Sequence, residues 1–81
     1  MKAKLIIYVR ADCHLCEDMV DQLHGLQAEF SFEIEHRDVD FRLAWSQTYG
    51  DKVPVLLYGG VEICRYFLDL AALRTALKEP S

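Results

Sequence analysis

Cys13 and Cys16 stand three apart in Cys13-His14-Leu15-Cys16, just past an apolar run and at the opening of a helical pattern. Thiols at that spacing can close on one another and reopen, so dithiol–disulfide exchange is the first chemistry they suggest. The same spacing serves zinc, haem and iron–sulfur sites, which need further ligands. His14, His24 or His36 would supply a third donor for zinc, yet no second Cys-x-x-Cys completes a four-cysteine site. His24 is eight residues beyond Cys16, and a helix rises about 1.5 Å per residue, so the two lie too far apart for one ion. Iron–sulfur binding through Cys13 and Cys16 is the other metal reading, and colour in the purified protein would reveal it.

Those thiols need elements to position them. Leu5-Ile6-Ile7-Tyr8-Val9 is a continuous apolar run rich in strand formers, which suits a central strand covered on both faces. Cys16, Met19, Val20, Leu23 and Leu26 then recur at three and four, while Glu17, Asp18, Asp21 and Gln22 fill the opposite side. This predicts a helix from Cys13 to about Leu26, with Asp12 as its cap. Phe30, Phe32 and Ile34 alternate with Ser31, Glu33 and Glu35, the pattern of a half-buried edge strand. Asp40 is placed to cap a short helix whose apolar side includes Phe41, Leu43, Ala44, Trp45 and Thr48 and whose stop is Gly50. Phe41, Trp45 and Tyr49 at four-residue spacing read as core. Val53 to Tyr58, Gly59-Gly60 and Val61 to Cys64 form a hairpin signal, and Asp69 opens a last helix through Leu70, Leu73, Ala76 and Leu77 that Pro80 stops.

The order βαβαββα limits the topology. A right-handed crossover makes the first two strands parallel, and the hairpin adds antiparallel on the other side of the first strand. The expectation is an α/β fold with a four-stranded mixed sheet and helices on both faces. All 81 residues form one domain in this reading, large enough to bury roughly 60–65% of its unfolded surface.

That order, the dithiol at the start of the first helix and Val53-Pro54 at the start of the third strand resemble the glutaredoxin branch of the thioredoxin fold over nearly the whole chain. Within the branch, Tyr49-Gly50-x-x-Val53-Pro54-Val55 with Asp38-x-Asp40 upstream is similar to the short glutaredoxin-like proteins. The resemblance implies a thiol–disulfide oxidoreductase with no cofactor beyond a redox-active Cys13–Cys16 disulfide. It implies a disulfide-containing protein or small molecule as substrate, and glutathione or a flavoprotein reductase as electron donor. It further implies that Pro54 is cis and faces the dithiol, so that the Val53 backbone can pair with an extended substrate segment. Glutaredoxins carry Gly-Gly and then an acid after the last strand to hold glutathione, whereas this chain reads Cys64-Arg65-Tyr66-Phe67. Side chains in place of two glycines stand against tight glutathione binding.

Placement assigns the roles. A helix N-terminus favours a thiolate, which makes Cys13 the attacking sulfur. Cys16, one turn deeper on the face of Met19, Val20 and Leu23, becomes the resolving thiol. Arg10 and His14 are the cations placed to lower the Cys13 pKa and to meet substrate, and Asp12 works against them. Cys64 reads as a small apolar strand residue, and Arg65 as either a solvated strand-end residue or a partner for a ligand carboxylate. A thioredoxin-fold module that only docks peptides at the Pro54 edge is a third reading, disfavoured because docking needs no exposed nucleophile.

Composition narrows the partners. Thirteen acidic against nine basic residues disfavour nucleic acid and anionic membrane, and no apolar stretch nears the roughly 20 residues of a spanning helix. The apolar core of Met1 to Val9 is shorter than a secretory signal and is followed by Arg10. The expectation is a cytoplasmic monomer with reduced thiols.

Overall fold

In the computed structural model, which describes residues 2–78, the elements are β1 (Ala3–Val9), α1 (His14–Phe30), β2 (Phe32–Asp38), a 3-10 turn (Val39–Phe41), α2 (Leu43–Tyr49), β3 (Val55–Tyr58), β4 (Val61–Arg65) and α3 (Leu70–Lys78). The four strands lie in the order β2-β1-β3-β4. β1 runs parallel to β2, and β3 pairs antiparallel with both β1 and β4. This is the predicted α/β mixed sheet, with β1 central because its apolar run can be covered on both faces.

Alternation along the strands divides the core in two. Leu5 and Ile7 of β1, Phe32 of β2 and Leu56 of β3 pack with Met19 and Leu23 of α1 and Leu73 of α3. Burying each such side chain stabilises the fold by about 1.5–3 kcal/mol. On the other face, Tyr8, Val55 and Leu57 pack with Val39 and with Trp45 and Tyr49 of α2. At the hairpin tip Gly59 and Gly60 have φ of 61° and 78°, the left-handed pair that matches the twist of the flanking strands.

Several boundaries differ from the sequence reading. α1 runs on to Phe30 and ends where Ser31 turns left-handed (φ 54°), its N–H donating to the Gln27 carbonyl. β2 extends past Glu35 through His36, Arg37 and Asp38, because these polar residues pair in register with Ile7, Tyr8 and Val9. The cap of α1 is Cys13, since Asp12 is itself left-handed at φ 57°. Asp38 rather than Asp40 caps the 3-10 turn, and α2 starts without a side-chain cap. Phe41 is 84% exposed and is not core. Asp69 caps α3 by accepting the Ala72 N–H at 3.0 Å; the predicted stop at Pro80 lies outside the described residues.

Candidate active site

β1 delivers the chain to Cys13 through Arg10 and the left-handed Asp12. Cys13 is extended (φ −103°, ψ 107°) and sits at the N-cap of α1. Its Sγ accepts the Cys16 N–H at 3.2 Å, satisfying one of the donors that a helix start leaves unpaired. Cys13 and Cys16 are joined as a disulfide with Cα atoms 5.2 Å apart. Cys13 is half-buried, whereas Cys16 is 3% exposed. The helical spacing therefore makes the two sulfurs inequivalent, one outer and one inner.

The partner strand brings in the second part of the site. Val55 pairs with Tyr8 near the end of β1, so the Val53-Pro54 segment before β3 lies at the dithiol end of the sheet. The Val53–Pro54 peptide bond is cis and Pro54 is buried. Arg10, predicted as a tuning cation, has its guanidinium engaged elsewhere. Nε and one terminal nitrogen each donate to an Asp40 carboxylate oxygen at 3.3 Å. The other terminal nitrogen donates to the Gly50 carbonyl at 2.8 Å. Arg10 thus ties the dithiol loop to the segment that leads into Pro54, and it shares a small hollow with Cys16, Val9 and Val20. The His14 side chain is 84% exposed, with its Nε2 3.6 Å from an Asp18 oxygen.

Sequence reasoning missed two contributors. Tyr66, in the turn after β4, takes φ 65°. Its backbone N–H donates to the Pro54 carbonyl at 2.8 Å, and its hydroxyl donates to the Asp51 carbonyl at 3.2 Å. Nothing in a tyrosine announces a left-handed backbone, so no local signal marks it; the residue in this turn that a glycine would suit is Tyr66 rather than Cys64. Gly50 is the other. Its φ of −53° is ordinary helix, but an added Cβ would collide with the Ser46 carbonyl and come within 3.2 Å of the Arg10 guanidinium. Asp40 had a weak signal, an acid two residues past the strand end that neighbours Val9.

Other candidates take structural places. Arg65 donates twice to the Glu62 carboxylate, each at 2.8 Å. Cys64 packs against the larger core cluster, and burial pushes its thiol pKa up, with a backbone hydrogen bond from Asp69 acting the other way. His24 and His36 meet edge-on across α1 and β2 with ring centroids 5.9 Å apart. Among the described residues no three His, Cys, Asp or Glu side chains are grouped to hold a metal ion, and no helix is long and apolar enough to cross a membrane.

The family model described as Glutaredoxin-like domain (DUF836) matches residues 4–78. The chain belongs to that glutaredoxin-like family. A protein of Nitrosomonas europaea solved in solution is similar at 38% identity and a TM-score of 0.84, covering 93% of this chain and 91% of that one. A protein from X. campestris solved by X-ray is 33% identical with a TM-score of 0.73, over 91% of this chain and 95% of the other. Thioredoxin 1 of Thermosipho africanus is 20% identical with a TM-score of 0.63, over 93% of this chain and 90% of that one, a likeness of fold. No curated protein matches the chain. The glutaredoxin-like domain thus has a thioredoxin fold, and its Cys13–Cys16 pair at disulfide distance fits thiol–disulfide redox function.

Proposed function

We propose that this glutaredoxin-like domain is a thiol–disulfide oxidoreductase that reduces a disulfide in a protein or small molecule. The observation that carries the reading is the inequality of the two sulfurs: the inner Cys16 almost fully buried, the outer Cys13 half-exposed at a helix N-terminus. The Cys16 N–H aimed at Cys13 Sγ and the positive end of the helix dipole both favour charge on that sulfur. In the reduced domain, Cys13 thiolate attacks one substrate sulfur, forming a Cys13–substrate bond as the substrate S–S bond breaks. The departing sulfur leaves as a thiolate and takes a proton. Cys16 thiolate, its proton lost to solvent, then attacks Cys13 Sγ, closing the intramolecular disulfide and releasing the second substrate thiolate. Two electrons pass from the dithiol to the substrate. An external thiol such as glutathione, or a flavoprotein reductant, restores the dithiol, and no resident cofactor is needed.

Arg10 acts as a positioning residue, holding the Gly50 to Pro54 segment through Gly50 while Asp40 holds Arg10. His14 is exposed beside Cys13, where it can meet substrate. Val53 presents its backbone to an extended substrate strand, and Pro54, whose carbonyl accepts the Tyr66 N–H, holds that segment in place beside the dithiol. The test is a redox titration in defined dithiol/disulfide buffers, with free thiols trapped by alkylation and counted by mass at Cys13, Cys16 and Cys64. A two-electron transition confined to Cys13 and Cys16 at about −200 to −270 mV fits a reductase, and one near about −120 mV an oxidant. Failure of Cys13 and Cys16 to interconvert as a pair sinks the proposal. Cys16→Ser is expected to accumulate a Cys13–substrate mixed disulfide that wild type resolves.

A further inference from the structure

A groove of about 380 Å³ opens between α1 and the turn that follows β4. It reaches the dithiol loop at one margin and the residue that holds Pro54 at the other. On one side it is lined by Leu15, which lies between the two cysteines, and on the other by Tyr66, whose N–H holds the Pro54 carbonyl. Met19 and Leu68 also line it, together with Phe67, which is 70% exposed. A phenylalanine so exposed beside a reactive pair is surface available for covering.

The carboxylates of this groove are Asp18, which has the exposed His14 Nε2 3.6 Å away, and Asp21. Among the described residues no lysine or arginine lines it. The guanidiniums at this end of the sheet are already paired, Arg10 with Asp40 and Arg65 with Glu62. A ligand with free carboxylates, such as glutathione, would meet two aspartates and no unpaired arginine. A polypeptide with apolar and basic residues beside its disulfide would bury Phe67 and place its own cations against Asp18 and Asp21.

We infer that the groove between α1 and the β4–α3 turn docks a basic, apolar segment flanking the disulfide of a protein substrate. This rests on the oxidoreductase reading for its purpose but not for its test. Oxidised wild-type protein, in which Cys13 and Cys16 are closed and no exchange occurs, is titrated into two dye-labelled, cysteine-free peptides. Both carry the same leucine and phenylalanine residues; one adds lysines and the other glutamates. Fluorescence anisotropy should show the lysine peptide binding at least about fivefold tighter, the scale of two exposed charge pairs. Raising salt should erase the difference. Asp18→Asn with Asp21→Asn should remove the preference, and Phe67→Ala should weaken both peptides. Equal binding of the two peptides, or a lysine preference that survives Asp18→Asn/Asp21→Asn, overturns the inference. A domain that docks the lysine peptide but fails the thiol titration would retain the groove and lose the redox reading.

Discussion

The two faces of the sheet are built differently. One carries α1 and α3, with 17 and 9 residues, over a core of aliphatic side chains and Phe32. The other carries only the seven-residue α2 and the short 3-10 turn, and its cluster is smaller and aromatic. Tyr8 stacks on Tyr49 with ring centroids 4.0 Å apart and meets Trp45 edge-on at 5.7 Å. Arg37 and Arg42 each lie near the Trp45 ring, at 5.3 Å and 5.1 Å from its centroid. Beyond the reach of α2 the face is charged, with Glu35 bonded to both Lys4 and Arg37. A covering helix lets strand residues be apolar, whereas a short one leaves aromatic rings and guanidinium stems to close the face and ion pairs to finish it. The dithiol belongs to the thick face through Cys16, and the segment leading into Pro54 leaves the thin face through α2. The site is thus a seam between a thickly covered half and a lightly covered half.

The largest effect should come from the thick face. Leu73 of α3 is fully buried there, and Leu73→Ala should cost about 2–5 kcal/mol in denaturant unfolding. A loss below about 1 kcal/mol would mean that α3 contributes little and that the faces are more alike than described. Gly50→Ala comes next and strikes the seam. Its added methyl meets the Ser46 carbonyl and the Arg10 guanidinium, so overpacking of about 1–3 kcal/mol is expected, together with slower disulfide turnover as Arg10 is pushed from the Gly50 carbonyl. Loss of stability with turnover unchanged would separate Arg10 from substrate positioning. Trp45→Leu tests the thin face. It keeps an apolar side chain but removes the ring near both arginines, and about 1–2 kcal/mol should be lost. A loss as large as that of Leu73→Ala would erase the distinction between the faces.

The thick face was the legible one. The three-and-four spacing of Cys16, Met19 and Leu23 and the alternation of Phe32 and Ile34 report burial directly, because a long helix and a covered strand repeat their contacts. The dithiol was legible for the same reason, since the period that buries Cys16 also places Cys13 at the start of the helix, although the cap read as Asp12 is Cys13 itself. On the thin face, the apolar spacing of Phe41, Trp45 and Tyr49 suggested a core stripe, yet Phe41 is exposed. α2 starts only at Leu43, so Phe41 lies in the 3-10 turn and off the helix's periodic face. The seam contacts were invisible for another reason. Arg10 to Gly50 and Tyr66 to Asp51 join residues 40 and 15 apart, and such pairings follow from topology, not from any local pattern.

The smallest expected effect concerns the charged edge of the thin face, and it turns on sign. Hydrogen bonds from Lys4 first and then Arg37 hold the Glu35 carboxyl below the ordinary glutamate range. The unfolded chain therefore binds a proton at Glu35 more readily than the folded one. The stabilisation is present at pH values above the unfolded pKa and is lost as pH falls through the folded one. Glu35→Gln should be slightly less stable than wild type at neutral pH, and the gap in thermal midpoint should close on acidification below the glutamate range. Taking the difference between the two proteins cancels the carboxylates they share. A gap that stays constant with pH would mean that Lys4 and Arg37 gain nothing from the charge on Glu35. Arg37 would then keep its place on this edge through the hydrogen bond from its guanidinium to the Tyr8 hydroxyl at 2.8 Å and its contact with the Trp45 ring.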